Sequence, residues 1–305
     1  MTRKEAPVAE ASIPVDLLNP GQVFACIGFV EVADVLLGDA EGTFDWSVPG
    51  DIRFRIRATG EASPVRSVLE FLERAEARAV AVEDSPSCAR WNTSWGPRPS
   101  TRAREAGYPF PDPPSPATLV CLLSDGTHSV ALDHWGDATE RDNVKFWAGS
   151  GGYPGAALAR DALALLRGRA VVAADDPFSF SAPQTSSFRL DWRRDYIPID
   201  AGFSLNAHSD IAALGYPIVE LLAAIGLTHA RPYRPDPRDK LVYEYAVIGR
   251  DRADDGVWFG PSILCAALGG APFPFAMRRF RMQLGWPAKE GQARSITTVT
   301  EETIA

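Results

Sequence analysis

Cysteine, histidine and methionine are scarce in this chain, with four, four and three residues in 305. Cys26, Cys88, Cys121 and Cys265 are scattered, with no Cys-x-x-Cys pair. That spacing supports neither a zinc site nor a disulfide framework, and three of the four sit in apolar runs, the setting of buried reduced thiols. His128 and His134 lie near Asp133 and Asp137, but this spacing across a hairpin end does not set both imidazoles on one ion. No metal and no cofactor is expected. The chain has no Gly-x-Ser-x-Gly elbow, no His-Glu-x-x-His and no phosphate-loop sequence. It also lacks a basic excess: the net charge is −8, unlike that of a free-standing nucleic-acid binder. No window approaches about 18 uninterrupted apolar residues, so no membrane span is expected. Met1 to Ala11 is polar, without an apolar signal core, which predicts a cytoplasmic chain.

Apolar residues make up 46% and charged residues 23%, the balance of a soluble globular protein large enough for one big domain or two ordinary ones. Prolines and glycines number 25 each, so turns are frequent and very long helices are not expected. Ile13 to Gln22 reads as a short strand and an Asn19-Pro20-Gly21 turn, with Gly21 supplying an unusual backbone angle. Val23 to Leu37 then reads as a helix apolar on nearly every face, which must be buried against something large. Ser63-Pro64 opens a second helix, Val65 to Ala79. Residues 83–117 form a proline-rich insertion in which no regular element is expected. Thr118 to Leu132 reads as a β-hairpin about Ser124-Asp125-Gly126, and Pro154 to Arg167 as a helix.

Residues 170–187 are polar and mark a boundary between an N-terminal half, 12–170, and a C-terminal half, 188–305. The second half repeats the order strand, loop, buried helix, with Tyr216-Pro217 to Ile225-Gly226 as that helix and Gly226 as its stop. Strands follow at 241–248, 257–259, 277–284 and 296–299, with a short helix at 263–268. Hairpins outnumber strand–helix–strand units, so the expected class is α+β, mostly antiparallel sheet with buried helices. Two RRM-like or ferredoxin-like halves are one arrangement this order allows.

Three basic clusters stand out as candidate nucleic-acid contacts. Arg53, Arg55 and Arg57 alternate with apolar residues, so a strand puts them on one face, roughly 7 Å apart, where they could follow a phosphate backbone. A solvated sheet face is the plainer alternative. Lys145, with Phe146, Trp147 and the Gly149-Ser150-Gly151-Gly152 turn, could present backbone N–H groups to phosphate. Arg278, Arg279 and Arg281 form the third cluster. From Pro183 onward 14 Lys/Arg meet 14 Asp/Glu, so the whole acidic excess lies before it. In the insertion, Arg90, Arg98, Arg102 and Arg104 interleave with Trp91, Trp95 and Tyr108, a mix suited to phosphate contact and base stacking.

Asn19-Pro20-Gly21-Gln22 with Phe24, Ala25-Cys26 and Gly28, then Phe188-Arg189-Leu190-Asp191, Tyr216 to Leu227, and Trp286-Pro287 running to Glu301-Glu302 carry a resemblance. Outside the proline-rich insertion, the chain resembles the small CRISPR-associated effector-module (Cascade) subunits of subtype I-U, also called I-G. The resemblance implies a non-catalytic, large-subunit-like member of an RNA-guided DNA surveillance complex. Its partners would be the other effector subunits, guide RNA and target DNA, with no membrane. In such complexes base pairing reads sequence while protein reads shape and a short flanking motif. Two other readings stay open: a cytosolic enzyme with a site around Asp133, His134 and Trp135, and a purely structural assembly protein.

Overall fold

The computed structural model describes residues 7–82, 85–100, 113, 115–135, 153–184, 186–193, 213–252, 256–285 and 294–302. In chain order its elements are β1 (Val8–Pro14), α1 (Pro20–Leu37), β2 (Glu41–Asp45), β3 (Arg53–Thr59), α2 (Pro64–Arg74) and β4 (Glu76–Val80). Then come α3 (Pro86–Ala89), β5 (Val120–Ser124), β6 (Ser129–Leu132), α4 (Gly155–Leu166), β7 (Ala182–Pro183) and β8 (Leu214–Gly215). The last are α5 (Pro217–His229), β9 (Val242–Arg250), α6 (Pro261–Leu268), β10 (Ala276–Gly285) and β11 (Ser295–Glu302). The class is α+β, with 33% helix and 29% strand.

Six strands form one sheet in the order β1-β3-β2-β9-β10-β11. All its neighbours are antiparallel except β2 and β9, which run parallel through Phe44 and Asp45. Strands β4-β5-β6 make a second, antiparallel sheet, and β7 pairs with β8. Strands from before and after residues 170–187 thus share one sheet, and α1 and α5 share one hydrophobic core. The period-two pattern of β3 is realised in full: Phe54, Ile56 and Ala58 are buried and the arginines face the other way. Register continues that buried face into β1, where Ile13 lies beside Phe54 and Ala11 beside Ile56.

Helix α1 is buried from Pro20 through Val30, as its even apolar surface requires. It is the one described helix long and apolar enough to cross a membrane by length and composition, and 78% of it is buried inside the protein. Its neighbours include α5, α2, α6 and strands β2 and β3. Asn19 is its N-cap and Pro20 its first residue, so Asn-Pro-Gly is the start of the helix rather than a turn before it. Gly21 has no positive φ, which corrects the expected unusual angle; a side chain there would instead strike the Leu190 carbonyl.

The same logic governs the α1–α5 crossing. A Cβ at Gly28 would overlap the Leu222 carbonyl, and one at Gly226 the Phe24 carbonyl and Gly28 nitrogen. Gly226 therefore does not stop α5, which continues to His229; its role is the close approach of two backbones. The expected helix 65–79 ends at Arg74 instead. Ala75 turns extended, and Glu76–Val80 joins the β5 ladder, burying Ala77, Ala79 and Val80. The tertiary pairing outweighs local helix propensity there. Arg167 donates to the Glu73 and Ala75 carbonyls at that break. The described residues of the proline-rich insertion do keep a short helix, α3, and 3-10 turns at Thr93–Trp95 and Pro116–Thr118, and Ser100 bridges back to Val80. The expected strand 257–259 reduces to a single bridge, Phe259 to Gly42.

Candidate functional site

The alternation of β3 brings Arg53, Arg55 and Arg57 onto one sheet face, each about one-third exposed. None stands alone. The Arg53 guanidinium donates to Ser12 Oγ at 2.7 Å and lies 3.5 Å from Asp51. Arg55 lies 3.2 Å from Glu10 and 3.9 Å from Asp45, and Arg57 Nε donates to Glu41 at 2.7 Å. Arg250, next door on β9, pairs with Asp45. Trp258 lies against the row, its ring centre 5.5 Å from the Arg55 guanidinium and 4.6 Å from that of Arg57. Stacking on an indole holds both planar forks in place.

The third basic cluster divides. Consecutive strand residues alternate faces, so Arg278 parts from Arg279 and Arg281. Arg278 holds Glu301 through two 2.6 Å hydrogen bonds and lies against Trp46 and Phe280. These bonds outweigh partial burial and lower the Glu301 carboxyl below its usual range. Arg279 aligns with Ala246 and Arg281 with Glu244, and register runs from there through Arg250 and Asp45 to Arg53. Arg279 and Arg281 thus lie on the β3-arginine side of the sheet, and neither forms an ion pair among the described residues. Trp258 and Arg250 were not legible as members of this face, because the bridge at Phe259 and the β2–β9 pairing are long-range. Lys145 and Gly149 to Gly152 lie outside the described residues, as do Arg102, Arg104 and Tyr108. Trp91 and Trp95 pack edge to face on each other, with Trp91 Nε1 donating to the Gly96 carbonyl, so their visible role is local packing.

Three motifs far apart in sequence meet in one buried polar knot. Asn19 Nδ2 donates to Asp191 Oδ1 at 3.1 Å. Arg189, at φ +63°, kinks the chain so that the N–H groups of Leu190 and Asp191 both reach Glu220 Oε1 at 3.1 Å. Arg193 grips both oxygens of Asp191, at 3.0 and 2.6 Å, and covers the Tyr216 ring at 3.7 Å. Gln22 Oε1 accepts from the Asp16 N–H at 2.7 Å. These bonds tie residues 188–193 to both central helices.

The Asp133 neighbourhood is core. Asp133, His134 and Trp135 are only 6%, 8% and 2% exposed. The His134 ring packs against Trp135 and Phe188, and Asp133 N–H donates to Thr228 Oγ1. Burial pushes the Cys26 and Cys121 thiols well up. Iodoacetamide at neutral pH should therefore leave both unmodified in the folded chain and label both in urea, read by mass spectrometry. Early labelling of either would contradict their placement. No protein-family model, curated protein or solved structure matches this chain.

Proposed function

We propose that the chain is a non-catalytic subunit of a CRISPR RNA-guided DNA surveillance complex. It would contribute to guide RNA and target DNA binding and to assembly with the other effector subunits. The observation that carries this reading is the arginine face, where Arg53, Arg55, Arg57, Arg279 and Arg281 share one sheet side with Trp258. Partly exposed Arg–carboxylate pairs contribute at most about 1 kcal/mol each, so a phosphate can displace Glu10 or Glu41 at small cost. Guanidinium groups beside an indole suit backbone contact plus base stacking. The chain's net charge of −8 fits a subunit whose neighbours supply most of the positive channel. Lys145 and its glycine turn remain a second proposed contact, resting on sequence alone.

Arg55→Glu with Arg57→Glu should weaken nucleic-acid retention by the assembled complex about tenfold or more. The salt slope should also become shallower by roughly 0.7 to 0.9 per lost phosphate contact. Unchanged affinity and slope would remove the face from the proposal. The pairing of Arg53, Arg55, Arg57 and the neighbouring Arg250 with carboxylates favours a second reading, in which the face docks another protein subunit. The same variant would then release that subunit while nucleic-acid affinity of the remaining complex stays the same.

A further inference from the structure

A cavity of about 690 Å³ opens where the C-terminal ends of α1 and α5 meet β6 and α6. That volume is in the range of small-molecule sites. Val35, Val130, Ala131 and Pro261 give it apolar walls. Glu31 lies in it with its side chain only 11% exposed. Its Oε1 accepts from Cys265 Sγ at 3.5 Å, and its Oε2 faces His229 Nδ1 at 3.2 Å. Asp34, one turn further along α1, adds a second carboxylate, and no lysine or arginine lines the cavity among the described residues.

Glu31 interrupts a mostly apolar helix, and a buried carboxylate is costly unless well compensated. Here the compensation is thin: a thiol is a weak donor, and His229 is 67% exposed at the mouth. Cys265 is not poised as a nucleophile, since burial and the Glu31 charge push its thiol up to about 12.

We propose that this cavity binds a small organic cation, an ammonium or guanidinium group on an apolar body. The charged head sits at Glu31, and the body lies along Val35, Val130 and Pro261. The proposal does not rest on the nucleic-acid reading. Four titratable groups line the cavity: Glu31, Asp34, His229 and Cys265. Protonated His229 neutralises Glu31 and competes with the ligand, so binding tightens as the imidazole loses its proton.

The test uses the full chain and three probes of similar shape: phenethylammonium, neutral 2-phenylethanol and anionic 3-phenylpropionate, followed by saturation-transfer NMR and titration. The cation is expected to bind, the alcohol about tenfold more weakly, and the anion not at all. Glu31→Gln should weaken cation binding about tenfold and leave the alcohol unaffected. Ala266→Leu, at an exposed helix position on the cavity wall, should weaken both the cation and the alcohol while folding normally. Affinity for the cation should rise from about pH 6 to about pH 8 in the parent and stay flat in His229→Gln. Equal binding of cation and alcohol, no binding of the cation, or an unchanged affinity in folded Glu31→Gln would each overturn the proposal.

Discussion

Gly226→Val is expected to leave the chain unable to reach its native fold. The added Cβ would meet the Phe24 carbonyl and the Gly28 nitrogen, which are backbone atoms of the facing helix and cannot rotate away. Relief requires α1 and α5 to separate along their whole crossing, which opens gaps among Ile27, Leu222 and Ala223 in the most buried part of the core. Overpacking typically costs about 1–3 kcal/mol, and the voids add to it. A total of at least about 4 kcal/mol is a large share of the stability of an ordinary domain. Gly28→Ala, against the Leu222 carbonyl, should lose about 3 kcal/mol, although alanine is the better helix former by about 1 kcal/mol. Gly126→Ala is the control: its φ is +93° in an open turn, so it should cost only about 1 kcal/mol. Urea midpoints of the three chains check the order, and a Gly28→Ala chain as stable as the parent would refute the close crossing.

Asp191→Ala should destabilise the chain by about 3–5 kcal/mol, the usual result of breaking a buried charge pair from one side. The Asp191 side chain is fully buried while its partner Arg193 is 30% exposed. Its removal strands the Asn19 amide and leaves the Arg193 guanidinium without its anion, with the Phe178 carbonyl and the Tyr216 ring as its remaining contacts. Arg193→Ala should cost a similar amount, and the double variant clearly less than the sum, because the second change removes a charge that has already lost its opposite partner. Equilibrium unfolding of the four chains gives the cycle. Additive losses, or an Asp191→Ala loss under about 1 kcal/mol, would mean that the Asp191–Arg193 pair does not hold residues 188–193 in place.

A smaller effect concerns pH. The hydrogen bond to Glu31 raises the His229 pKa above 6.5 in the folded chain. A base whose pKa is raised by folding stabilises the native state below its unfolded value and loses that contribution as pH climbs through the folded one. Burial raises Glu31 as well, and its contribution also declines with rising pH, in a window starting lower, from 4.5. Denaturant midpoints should therefore drift down above pH 6.5 in the parent and stay flat there in His229→Gln. A rising midpoint would invert the assignment.

What the sequence revealed were features whose cause is local. The alternation in β3, the even apolar surface of α1 and the turn chemistry of the β5–β6 hairpin each lie within a few residues. Strand β1 starts at Val8, inside a stretch that reads as polar, because its pairing with β3 and not its composition makes it a strand. The break after Arg74 depends on β5, some 45 residues away, and the role of Gly226 depends on a helix in the other half of the chain. The arginines of the candidate face were legible; their partners Glu10, Glu41 and Asp45 were not, because charge matching across strands is set by register. The same register joins Arg279 and Arg281 to the face and removes Arg278 from it. Three of the motifs that carry the resemblance, at Asn19–Gln22, Phe188–Asp191 and Tyr216–Leu227, meet in a buried knot, so their visible role is to hold the fold, while the proposed contacts lie on the sheet face. Trp286-Pro287 lies outside the described residues.

The most direct test of the proposed role is co-purification. The tagged chain is expressed with the proteins encoded beside it and a repeat–spacer array, and the accompanying RNA is sequenced. The account predicts one large ribonucleoprotein carrying a processed guide of uniform length, with the Arg55→Glu, Arg57→Glu variant retaining less nucleic acid. A lone, RNA-free monomer in cells that demonstrably express the neighbouring subunits and the array would contradict it.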